Sequence, residues 1–88
     1  MHITFSGTLL RFVNFQKTLQ LDAATVRDAL STVAGRFPQA GSVIYDAQGQ
    51  VRQVHQLFLN GRQLAAAELD QPLVHSDRLD LLTAIAGG

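Results

Sequence analysis

The 88-residue chain contains no cysteine. This removes disulfide frameworks, thiol nucleophiles and thiolate metal sites together, so a protein of this sequence that handled sulfur could not hold it on a side-chain thiol. Charge of one sign is also missing. Seven Lys and Arg balance seven Asp and Glu, and no basic run interrupts the sequence. Nucleic-acid binding draws its affinity from phosphates neutralised by clustered cations, so no nucleic-acid partner is expected. No apolar stretch approaches the roughly 20 residues of a membrane span. The start Met1-His2-Ile3-Thr4 lacks the basic and apolar segments of a secretory signal. The expectation is a soluble cytoplasmic protein with no membrane partner.

Side-chain chemistry is equally sparse. His2, His55 and His75 stand singly, without the i, i+4 spacing of a helical zinc site. No metal site is expected, and all three are read as surface residues. Asp22, Asp46, Asp70, Asp77 and Asp80 fall mostly where turns and caps are predicted, the structural home of aspartate. No glycine-rich phosphate loop and no serine nucleophile elbow occurs. The chain reads as something other than an enzyme.

What is present is a core. Apolar residues make up 47% of the chain, well above the range of disordered sequences. Ile3 and Phe5 alternate with His2 and Thr4, which predicts a strand over 2–6. A wide connection over 8–14 leads to a second, antiparallel strand over 15–21. Thr25 is a good helix N-cap with Asp28 three residues on. Val26, Leu30, Val33 and Phe37 then recur at helical spacing, and Pro38 ends the helix, giving 26–37. Asp46-Ala47-Gln48-Gly49 predicts a turn, with a short helical turn at Val43-Ile44-Tyr45. A third strand is predicted over 56–60, and Asn60-Gly61 is the strongest hairpin signal in the chain. A return strand over 62–64, one helical turn over 65–69 and a last strand over 78–83 complete the order β-β-α-β-β-β. This is an α+β fold, a mixed sheet packed on one helix, in a single domain spanning 1–88.

Two apolar residues fall out of phase. If Leu57 and Leu59 face the helix, Phe58 faces the other side of the sheet, and by the same reasoning so does Leu82. An apolar pair on a solvent face marks a partner surface. The last strand leads into Ala84-Ile85-Ala86-Gly87-Gly88. A closing Gly-Gly adds nothing to a core, and glycine gives up more backbone freedom on ordering than any other residue. Without a side chain, however, it can be threaded down a narrow channel. Residues 85–88, read as a flexible tail, reach roughly 13 Å when extended. The working group is therefore expected to be the Gly88 carboxylate.

The ordered set of Thr25-Val26, Arg36-Phe37-Pro38, Asp46 to Gly49, Leu57-Phe58-Leu59-Asn60-Gly61, Ser76-Asp77 and Ala84 to Gly88 resembles the ubiquitin-like sulfur carriers of the ThiS/MoaD type. Thr8-Leu9-Leu10-Arg11 and the Ala-Ile-Ala-Gly-Gly end are most similar to the CysO-type carriers. Thr83 departs from the proline common there, His55-Gln56 from a more apolar strand start, and Asn14-Phe15 from the glycines common in that hairpin. The resemblance implies a ubiquitin-like β-grasp fold. It implies that an E1-like adenylyltransferase of the MoeB/ThiF type uses ATP to adenylate Gly88, after which a sulfur donor leaves a thiocarboxylate. This chain itself would bind no cofactor. Ile85, Ala86 and Gly87 would be threaded into the enzyme, Phe58 and Leu82 would meet partners, and a downstream synthase would accept the sulfur. The same resemblance leaves open the small subunit of molybdopterin synthase, a ubiquitin-like protein modifier, and an interaction module with an inert tail.

Overall fold

The computed structural model describes residues 1–52 and 54–83. The expectations for Ile85, Ala86, Gly87 and Gly88 lie outside the described residues. Five strands, β1 (His2–Gly7), β2 (Thr18–Gln20), β3 (His55–Leu59), β4 (Arg62–Gln63) and β5 (Arg78–Thr83), form one sheet in the order β2-β1-β5-β3-β4. β5 runs parallel to β1 and antiparallel to β3. Two helices, α1 (Val26–Arg36) and α2 (Pro38–Ile44), follow β2, and short 3-10 segments occupy Thr8–Val13 and Ala66–Glu68.

Alternation sets the inner face. Ile3 and Phe5 of β1, Leu57 and Leu59 of β3, and Leu79 and Leu81 of β5 are buried. Val26, Ala29, Leu30 and Val33 of α1 are buried in the same core. Each large aliphatic side chain so buried stabilises the fold by about 1.5–3 kcal/mol. The start of α1 is fixed as expected: Thr25 Oγ1 accepts from the Asp28 amide at 3.2 Å, which satisfies one of the donors that a helix leaves unpaired at its N-terminus.

Pro38 has a second role that the periodicity does not reveal. α1 stops at Arg36, and Phe37 turns the chain at φ −129°. Pro38 then opens α2. Proline lacks only an amide hydrogen that a first helical turn would leave unpaired, and its φ already suits a helix. The sheet is thus covered by two helices, and the single turn expected at 43–45 is the end of α2. Ala40 and Ile44 bring α2 into the core.

The second strand is shorter than the expected 15–21. Asn14 and Phe15 both have left-handed backbones, at φ 55° and 59°, which a strand excludes. At Asn60-Gly61 both residues have positive φ, 52° and 87°, as a two-residue type I′ hairpin requires. Asn60 therefore belongs to the turn, and β3 begins one residue earlier, at His55. Leu64 lies just beyond the two-residue β4 and is buried. Asp80 sits inside β5 and not at a turn.

Candidate functional site

The expected apolar pair on the outer face of the sheet is present, and the patch it makes is narrow. Across the β3–β5 ladder Phe58 pairs with Asp80 and Gln56 with Leu82, so Phe58 and Leu82 are diagonal neighbours on the outer face. Leu82 is 36% exposed and Phe58 is half-buried. Thr4 and Ser6 flank this pair on β1, opposite Asp80 and Leu82, and Gln63 flanks it on β4. An ion pair joins Arg78 Nε to Asp80 Oδ2 at 3.5 Å. The face is a two-residue apolar island in a polar field, suited to a contact that uncharged groups dominate at the centre and polar groups rim.

The end of β5 is held more firmly than the sequence indicates. Thr83, the last residue of β5, lies between Gly7 of β1 and His55 of β3. Gly7 has φ 77°, and a Cβ there would come within 2.7 Å of the Thr83 carbonyl oxygen. The strands meet so closely only because position 7 has no side chain. Thr83 is buried, and its Oγ1 lies 3.0 Å from His55 Nδ1. The other ring nitrogen, His55 Nε2, lies 2.9 Å from the Val43 carbonyl oxygen in α2. A carbonyl can only accept, so Nε2 carries the proton, and in the neutral ring Nδ1 accepts from the Thr83 hydroxyl.

His55 therefore corrects its surface assignment: it is 8% exposed. The signal lay in the alternation. His55 is in phase with Leu57 and Leu59, and Thr83 with Leu79 and Leu81. His2 and His75 are exposed. Among the described residues no three His, Asp or Glu side chains come together to hold a metal ion.

A cleft of about 610 Å³ opens on the helix side, floored by Leu30, Leu57 and Leu69 and edged by Arg27, Tyr45 and Arg52. Among the described residues that line it there is no carboxylate; besides the two arginines its titratable side chains are the Tyr45 phenol and His55. Burial pushes that phenol above its ordinary range, with Arg27 pulling weakly the other way, so it stays protonated at neutral pH. Arg27 is tied to Asp70 at 2.9 Å. With both ring nitrogens of His55 engaged by Thr83 and Val43, the described lining holds no free acid–base pair.

Comparison with known proteins follows the same lines. SAMP1 from Haloferax volcanii superposes with a TM-score of 0.87 at 25% identity, over 100% of this chain and 98% of that one. A chain of the Amycolatopsis orientalis BexX/CysO complex gives 0.83 at 18% identity, over 99% and 98%. CysO from Mycobacterium tuberculosis gives 0.81 at 14% identity, over 96% and 98%. These likenesses identify the fold as a ubiquitin-like β-grasp. No curated protein matches the chain in sequence. The sequence profile of the ThiS family matches residues 3–88, through the Gly87-Gly88 pair, and the chain belongs to the ThiS family.

Proposed function

We propose that this protein is a sulfur carrier whose reactive group is the carboxylate of Gly88. The observation that supports it most is the ThiS-family match across residues 3–88, Gly87-Gly88 included. A carboxylate resists nucleophiles because its carbonyl is already electron-rich. An E1-like enzyme overcomes this with ATP: a carboxylate oxygen attacks the α-phosphorus, pyrophosphate leaves, and an acyl-adenylate forms. A sulfur donor then attacks the carbonyl carbon, AMP leaves, and Gly88 ends as a thiocarboxylate. That sulfur passes to a biosynthetic acceptor on a downstream synthase. Sulfur is thus carried without a cysteine, by a substrate protein and not an enzyme. A cytoplasmic location goes with this reading, because ATP is supplied there.

The test is to incubate the full chain with ATP, sulfide and its activating enzyme and to record intact mass. The expected result is the mass change of one oxygen replaced by sulfur, absent when Gly88 is deleted. A chain that stays unmodified while a known carrier is charged beside it overturns the reading. The likeness to SAMP1, described as a small archaeal modifier protein, supports a second outcome of the same acyl-adenylate. A lysine amine in place of the sulfur donor would join Gly88 to another protein through an isopeptide bond, which peptide mapping of cell lysate detects.

A further inference from the structure

We infer that His55 is a positioning residue that fixes where the tail leaves the sheet. The inference rests on the reading of Gly88 as the reactive group. His55 and Thr83 are the buried polar side chains among the described residues, and they are bonded to each other. Stability alone does not account for them. Replacing both partners of a buried hydrogen bond by apolar groups of similar shape is often neutral or stabilising. What an apolar pair lacks is direction, because a hydrogen bond prefers near-linear geometry and hydrophobic contact is non-directional.

The direction is set at a telling place. Thr83 is the residue to which position 84 is joined. Its backbone is confined by the Gly7 contact on one side and the β3 ladder on the other. The His55 ring adds a third constraint, from below the sheet. Its Nε2–H donates to Val43 of α2 at 2.9 Å, so the ring cannot turn without losing that partner. α2 is itself packed into the core through Ala40 and Ile44. A continuous chain of contacts therefore runs from a helix, through the imidazole, to the hydroxyl at the root of the tail.

Thr83→Val removes the hydroxyl and keeps the shape, whereas Thr83→Ser keeps the hydroxyl. The first readout needs no partner: heteronuclear NOE values at Ala84 and Ile85, with the His55 ring nitrogen shifts, in the labelled full chain. We expect Nε2-protonated imidazole in the parent, lower NOE values in Thr83→Val and restoration in Thr83→Ser. The second readout is charging kinetics. One neutral hydrogen bond, net about 1 kcal/mol, corresponds to about fivefold. Thr83→Val should raise KM for the carrier about fivefold with kcat nearly unchanged, and Thr83→Ser should restore it. If Thr83→Val does not fold, His55→Gln replaces it, since its amide takes the place of Nε2 and leaves Thr83 unpartnered. NOE values and KM equal to the parent's in a folded variant lacking the Thr83 bond overturn the inference. If the parent is never charged, the sulfur-carrier reading fails instead, and the NOE arm still decides whether His55 orders the root.

Discussion

Gly7→Ala is the substitution that most sharply tests how β1 and β5 meet. Gly7 has φ 77° and ψ −152°, a region that is essentially glycine's own and costs other residues about 1–3 kcal/mol. The added Cβ would also come within 2.7 Å of the Thr83 carbonyl oxygen. β5 is laddered on both sides and cannot slide away freely, so relief requires backbone movement. Overpacking of this kind costs about 1–3 kcal/mol. Together these give about 2–6 kcal/mol, with about 4 as the central expectation, against about 4–13 kcal/mol for the whole domain at typical stability per residue. The melting temperature should fall by roughly 15–30 °C.

Two further variants separate the terms. Gly61→Ala shares the positive φ, 87°, but its Cβ would meet nothing within 4 Å, so it should cost only about 1–2 kcal/mol. Gly35→Ala lies inside α1, also with nothing within 4 Å. It should stabilise by about 0.5–1 kcal/mol through helix propensity. Urea unfolding followed by circular dichroism measures all three. If Gly7→Ala costs no more than Gly61→Ala, the close approach of β1 to Thr83 is refuted.

The outer face is tested by Phe58→Gln, preferred to an aspartate because Asp80 lies directly opposite and like charges there would destabilise the ladder. The unfolding midpoint should stay close to the parent's, while calorimetric titration shows affinity for the activating enzyme falling roughly tenfold; unchanged affinity would remove Phe58 from the interface. Phe15→Gly should stabilise by about 1 kcal/mol in the same urea assay, since a left-handed backbone strains phenylalanine and the side chain is 70% exposed, leaving little burial to lose. The Asp77 carboxyl is held below its ordinary range chiefly by the Val74 amide and next by the Asn60 side chain. A value lower in the folded than in the unfolded state contributes stability that is complete above the unfolded value, about 3.9, and is lost as pH falls through the folded one. Asp77→Asn should therefore flatten the fall in stability below about pH 4; an acid limb as steep as the parent's would show that Asp77 contributes nothing to it.

Period-two and helical alternation made most of the fold legible. Ile3 and Phe5, Leu57 and Leu59, and Leu79 and Leu81 declare their faces without help, and the phase of Phe58 and Leu82 follows. Local chemistry with a single outcome was equally readable: Thr25 caps, and Asn60-Gly61 turns. What failed was residue identity overriding pattern. Pro38 reads as a stop because proline breaks helices, yet it also begins them. Phe15 reads as strand by propensity, yet two successive left-handed residues end the connection there. His55 reads as surface because histidine is polar, although its phase places it inside. The Val43 carbonyl that makes its burial tolerable lies 12 residues away, on a helix of which only the last turn was expected.

On the sulfur-carrier reading, the strand order gives the residues that follow β5 a firm root. β5 is central, paired along its length with β1 on one side and β3 on the other, whereas the edge strands β2 and β4 are only three and two residues long. Had the last strand been an edge, a partner drawing the tail into its site would work against one ladder and could peel it residue by residue. With β5 in the middle, a pull along the strand shears two ladders at once. The Gly7 contact and the His55–Thr83 bond also resist at the first residue to be displaced. On the sulfur-carrier reading, a partner would then hold the domain face around Phe58 while Gly88 reacts. Recognition and reaction would then be separable demands, one met by a domain face fixed by its core and the other by two closing residues, Gly87 and Gly88, that carry no side chain.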